Sequence, residues 1–180
     1  MPSWVWSDKL LAEVGHRLRE IHDGSQSLDL PLDGWRLPHV DPPEVFCHGD
    51  VTPYNMVFRD GRVVAFIDWD FAVPAPRLWD LGYAAYRWVS LTPPDHPDGR
   101  PQSIDEQWRR LGLLCDAYGD VDRYDVVDWA VRRLDHLVSL SLSQAADGNP
   151  AFIATVAAGH VELYAHDRDW LRATYLAQRW

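Results

Sequence analysis

The 180-residue sequence predicts a mainly helical α+β domain. Three observations predict it. Most of the chain outside residues 24–76 carries apolar residues at helical spacing, in segments opened by capping residues. One Asp-Gly step, Asp60-Gly61, lies between two short β-branched and aromatic runs, the strongest short signal for a hairpin. The length suits one domain, residues 1–180, burying roughly 70% of its unfolded surface. The sequence shows no internal repeat and no low-complexity tract.

Met1 to Trp6, with two Trp and a Pro, is too short for a domain and is expected to pack onto the body. Ser7 caps a helix from Asp8 to about His22, with Leu10, Leu11, Val14, Leu18 and Ile21 on one face. Residues 24–44 are rich in Pro, Gly and Asp and read as a surface loop. Val45-Phe46-Cys47 reads as a short strand. Asn55–Phe58 and Arg62–Ile67 form the hairpin arms. After Pro74 and Pro76 a helix runs from Leu78 to about Leu91. Ser103 and Glu106 make a capping box for a helix ending at Tyr118, stopped by Gly119. Another helix covers Tyr124 to Ala146. Strict alternation over Val138 to Ser143 gives its second half a competing strand signature. Asn149 and Pro150 open a last helical stretch, with a break expected near Asp167.

The net charge of −10 argues against nucleic acid and anionic membrane surfaces, which reward clustered Lys and Arg. A nucleotide stays admissible, because Mg²⁺ bridges acidic protein and acidic phosphate. Cys47 and Cys115 make no disulfide framework and read as buried thiols of a reducing cytoplasm. No secretory leader and no membrane-length apolar run is evident, so a cytoplasmic protein is expected. The ten Trp point to a core with wide gaps or to an apolar face for a partner.

The chemistry concentrates between Phe46 and Asp80. His48-Gly49-Asp50 is followed by Asn55, five residues after Asp50, then by Ile67-Asp68-Trp69-Asp70 and Trp79-Asp80. An Asn amide oxygen and an Asp carboxylate are hard oxygen ligands suited to Mg²⁺. A second carboxylate left off the metal can orient or deprotonate a hydroxyl. The hairpin matters mechanically, because it returns Asp68 at its exit to Asn55 at its entry. His48 next to Gly49 suits a structural imidazole holding Asp50. Asp80 suits a helix cap or a brace for the loop. Tyr54 and Trp69 flank the ligands and read as core aromatics or pocket walls. The histidines offer no zinc spacing. Arg109-Arg110 and Arg132-Arg133 read most simply as solvated helix faces.

These motifs resemble the aminoglycoside phosphotransferase and choline kinase family. There His-Gly-Asp-x-x-x-x-Asn and Ile-Asp-Trp-Asp take the places of the protein-kinase catalytic loop and metal-binding triplet. Within that family, His48 to Asn55 and Pro76 to Leu81 are most similar to trifolitoxin-immunity-type members. The resemblance implies the C-terminal lobe of a kinase-like fold. It implies Asp50 as catalytic base, Asn55 and Asp68 (with Asp70 a further candidate) as Mg²⁺ ligands, and ATP or GTP as donor to a small-molecule hydroxyl. The sequence has no Gly-x-Gly, and Lys9 is its only lysine, so the nucleotide-clamping lobe is expected to be absent. A truncated gene, a partner supplying that lobe, and an inactive binding or immunity protein all fit that expectation. A homodimer or a partner covering the open face is expected with it.

Overall fold

The computed structural model describes residues 1–28, 31–119 and 121–177. Its architecture is mainly helical, with two small two-stranded sheets. The first helix, α1 (Asp8–Gln26), runs four residues past His22, and its N-cap Ser7 accepts from Leu10 N–H. Leu10, Leu11, Val14 and Leu18 bury its apolar face against α3 (Ile104–Tyr118). Gly15 allows close approach: a Cβ there would stand 3.0 Å from Ala117 Cβ and Leu114 O.

The sheets frame the motif-bearing loop. Strand β1 (Val45–Cys47) pairs antiparallel with β4 (Val73–Ala75), in register Val45 to Ala75. The expected hairpin forms from β2 (Met56–Arg59) and β3 (Arg62–Phe66). Its turn residues Asp60 and Gly61 have φ of 51° and 69°. Positive φ at both centres is what a type I′ turn requires. Strand β4 has no counterpart among the sequence expectations, because Pro74 at its centre argues against a strand. Proline is tolerated here because β4 belongs to a two-stranded sheet, where a missing N–H can face away from the partner.

Beyond β4, α2 (Arg77–Ala84) continues into a π-helical turn over Ala85–Val89. Helix α3 begins at Ser103, which accepts from Glu106 N–H at 3.2 Å, and ends at Gly119 with φ 114°. Helix α4 (Arg123–Ala146) is continuous through Val138–Ser143. The strand alternation loses there because Leu134 and Ser141 stay buried at helical spacing against the packed neighbours α5 (Pro150–Ala157) and α6 (His160–Leu171). The break in the last helical stretch falls at Ala158-Gly159, not near Asp167. Gly159 adopts φ 78°, which ends α5, while Asp167 is fully buried within α6. Its carboxylate accepts from Tyr86 Oη at 2.7 Å and lies 3.1 Å from His96 Nε2.

Two arginines expected on solvated faces are buried. Arg110 is 3% exposed and pairs with Asp8 at 2.6 Å. Arg133 is 2% exposed. Both sit on the buried stripes of their helices: Arg133 is three residues from Ala130, and Arg110 four from Leu114. Among the described residues, no helix is long and apolar enough to cross a membrane.

The main core joins α1, α2, α3 and α4, with Trp88 and Leu91 fully buried. A smaller cluster of Val45, Cys47, Val73, Ala75 and Trp79 underlies the loop. Gly82 sets the α2–α4 spacing, since a Cβ there would lie 2.6 Å from Ala130 N and from Trp129 C. Those are backbone atoms and cannot swing away. Gly82→Ala is expected to destabilise the fold by about 1–3 kcal/mol through overpacking. Urea unfolding checks this; an unchanged midpoint would show that α2 and α4 separate without cost.

Candidate active site

The loop after β1 is held from below by one carboxylate. Asp80, in the first turn of α2, is fully buried. Its Oδ2 accepts from His48 N–H at 2.7 Å, and its Oδ1 from Gly49 N–H at 2.8 Å. His22 Nε2 lies 3.3 Å from Oδ2, and His22 Nδ1 lies 2.8 Å from the Tyr118 hydroxyl. Burial alone would raise the Asp80 pKa. The His22 contact and the two backbone donors outweigh it, and the carboxyl sits below its ordinary value. Pro76, not Asp80, occupies the N-cap of α2, so Asp80 braces the loop and does not cap the helix.

His22, Cys47 and Asp80 bring ligand-type atoms within 4.8 Å of one another. Burial, then Asp80, push the Cys47 thiol well above its usual value. It stays protonated and donates to Pro76 O at 3.4 Å. In this arrangement the cluster is a hydrogen-bonded support for the loop.

His48 ties the loop to the hairpin. Its Nδ1 accepts from Asp50 N–H at 3.1 Å. That leaves the proton on Nε2, which donates to Ile67 O at 3.0 Å. Ile67 N–H in turn donates to Asn55 O at 2.9 Å. The residue before Asp68 is thus fastened to both ends of the loop. Gly49 has φ 79°, and a Cβ there would stand 2.0 Å from Phe71 O. Only glycine lets the loop lie this close to the turn that follows Asp68.

Asp50 and Asn55 meet directly. Asn55 Nδ2 donates to Asp50 Oδ2 at 2.8 Å and to Asp50 O at 3.1 Å. With its amide nitrogen so committed, Asn55 has Oδ1 left for another partner. Asp50 is half-buried, and burial raises its pKa against the opposing pull of Arg133, Asn55, His48 and Arg87. Asp68 is exposed, with φ 63°, a left-handed conformation that is costly for a non-glycine residue. Asp70 is exposed and paired with Arg36. Trp69 stacks on Phe46 and lies against His48, with ring centroids 5.5 and 4.4 Å apart. Tyr54 is exposed, with the Arg87 guanidinium over its ring.

Asp50 opens onto two neighbouring cavities. One, of about 190 Å³, is walled by Phe71, Tyr83, Arg133, Phe152 and Tyr164 among others. The second, of about 250 Å³, lies toward Tyr54, Tyr86, Arg87 and His160. Both share Asp50, Tyr83 and Tyr164. A model described as the phosphotransferase enzyme family matches residues 3–134. The chain belongs to that family. It is 29% identical over 120 residues to the trifolitoxin immunity protein of Rhizobium leguminosarum bv. trifolii, covering 63% of this chain and 46% of that protein. It therefore spans less than half the length of that relative. No solved structure matches the chain.

For a phosphotransferase-family chain, the cavity residues are the ones sequence reasoning missed. Arg87, Arg133, Tyr83, Phe152 and Tyr164 come from four helical stretches that no motif links. Only the helical arithmetic that places Arg133 beside Ala130 gives a signal for it.

The Asp80 brace generates a prediction. An amide at this position keeps one oxygen, so one of the His48 and Gly49 N–H groups loses its acceptor. Asp80→Asn should destabilise by about 1–3 kcal/mol at neutral pH. The folded pKa of Asp80 lies below its unfolded value of about 3.9. Its stabilisation is therefore complete above that value and lost as pH falls through the folded pKa. The gap between wild type and variant should narrow in that acid range. Thermal unfolding from neutral to acid pH checks this, and a gap that stays constant would count against the brace.

Proposed function

We propose that this chain is the C-terminal, acceptor- and metal-binding part of a kinase-like phosphotransferase, with residues 1–180 acting as one unit. It moves a phosphoryl group from ATP or GTP to a hydroxyl of a small molecule. The observation that carries the reading is the shared clamp on Asp50, Asn55 and Ile67, which ties the Asp50 carboxylate, the Asn55 amide and the backbone of the residue before Asp68 to the same few hydrogen bonds.

Asp50, half-buried at the head of the cavities, receives the acceptor hydroxyl and takes its proton. Asn55 holds Asp50 in orientation through Nδ2. Asn55 Oδ1 and the exposed Asp68 carboxylate are hard oxygen donors and fit Mg²⁺. Asp70 is left out of the ligand set because Arg36 engages it. Bound Mg²⁺ would neutralise charge on the transferring phosphoryl group. The strained backbone of Asp68 supports this role, since such conformations persist where the surroundings over-determine them. Val57, Val64 and Ile67 expose apolar surface beside Asp68, where a nucleotide-clamping partner or a second copy would sit. Sedimentation showing only monomer at high concentration removes the second-copy version.

A non-catalytic immunity-type protein is the second reading, favoured by the likeness to an immunity protein. Calorimetric titration of ATP and GTP, with and without Mg²⁺, separates the two. Expected is Mg²⁺-dependent binding that Asp68→Ala abolishes. Asp50→Asn should keep that binding and lose phosphoryl transfer by about 10²–10⁴-fold. No nucleotide binding at millimolar concentration would leave the immunity-type reading standing.

A further inference from the structure

We infer that the cavity of about 190 Å³ beside Asp50 takes a small hydroxyl-bearing anion, whose carboxylate or phosphate seats on Arg133 while its hydroxyl meets Asp50. This names the acceptor class of the site proposed above and rests on that reading of Asp50.

Arg133 is the first observation. It is fully enclosed by protein and forms part of the cavity wall. Its Nη2 donates to Gly49 O at 2.5 Å. Its Nε and Nη1 have no hydrogen-bond partner among the described residues. Nor does it form an ion pair there. The faces of Trp79 and Tyr83 lie 4.6 and 4.9 Å from its guanidinium carbon. Those rings ease the burial of a cation but accept no full hydrogen bond. Arginines elsewhere in the chain show the alternative: Arg110, equally buried, has its Asp8 carboxylate. Asp50 and Asp80 act on its charge from beyond ion-pair distance. What stays open is the hydrogen bonding of its two idle nitrogens, which is costly unless an acceptor completes it.

The rest of the wall is the second observation. Among the described residues, Asp50 is the only carboxylate lining this cavity. Tyr83, Ser141 and Tyr164 bring hydroxyls to it, while the Thr155 hydroxyl that also lines it already donates to Ala151 O at 3.0 Å. Burial pushes the two tyrosine pKa values up, so both remain protonated donors. A cavity rich in donors, with one acceptor-only group at its head, is complementary to a ligand rich in acceptors with one hydroxyl. A polycationic ligand would find one carboxylate and a buried cation. The volume, below the roughly 300 Å³ of ordinary small-molecule sites, keeps the ligand small.

The test uses the full chain without nucleotide, so acceptor binding is read apart from phosphoryl transfer. Glycerate and glycerol 3-phosphate are titrated by calorimetry against neutral glycerol and cationic ethanolamine. Expected is binding of one or both anions at millimolar concentration, with the neutral and cationic probes at least about tenfold weaker. The stronger anion distinguishes a carboxylate from a phosphate subsite. Arg133→Lys, folded by circular dichroism, should weaken the anion by about tenfold or more, because the planar fork is lost. If that variant does not fold, the charge preference of the unmodified protein decides. Ethanolamine or glycerol binding as well as the anions, no anion binding, or an unchanged affinity in folded Arg133→Lys would each overturn the inference. Anion binding without any ATP consumption would instead sink the proposed phosphoryl transfer and leave this subsite in place.

Discussion

Everything in the site is referred to one buried carboxylate. Asp80 has no exposure to water, yet it faces three donors or donor-capable groups within 3.3 Å: the His48 and Gly49 N–H groups and His22 Nε2. A carboxylate suits the position because its two oxygens can each satisfy one of two successive backbone N–H groups at once. The helix delivers it as well as the chemistry. Asp80 stands in the first turn of α2, where the helix dipole favours negative charge. Loop, α1 and α2 are thereby fixed to a common point without any contact to ligand.

From that point the order of the site is passed outward by His48. A neutral imidazole with one accepting and one donating nitrogen links the Asp50 backbone to Ile67 O. A Lys or Arg could only donate, and a carboxylate could only accept. The requirement for both roles over this distance is what histidine supplies. The result has two unlike sides. Asp50 faces half-open clefts between helices, while Asp68 and the hairpin face water. On the proposed reading, the acceptor enters from the cleft side and the donor from the hairpin side.

Local rules made most of the elements legible. Ser7, Ser103, Asn149 and Gly119 mark helix ends through interactions within a few residues, and Asp60-Gly61 fixes its hairpin by backbone preference alone. The candidate loop was legible because its spacing carries its chemistry. What escaped depends on distant neighbours. Strand β4 exists because β1 accepts a proline-bearing partner at an unextended sheet. The second half of α4 is helical because α5 and α6 cover it. Arg110 and Arg133 look solvated when charge is the guide, and buried only when their place on the apolar stripe is weighed against it. The cavity walls come from α2, α4, α5 and α6, and no short stretch of sequence announces such a meeting.

The chain carries a net charge of −10, yet among the described residues the cavity wall holds one carboxylate, Asp50, and one guanidinium with two nitrogens lacking hydrogen-bond partners. The two facts concern different distances. Net charge governs the potential far from the surface, which salt screens within about 8–10 Å. Inside a cavity the nearest donors decide, because the dielectric is low and water cannot substitute for a missing partner. An acidic exterior and an anion-seeking interior are therefore compatible in one protein. The acidic exterior slows the approach of an anion, but it does not set the energy of the ligand once Arg133 has found an acceptor for its idle N–H groups. On the proposed reading, selection between cationic and anionic acceptors lies in that last contact.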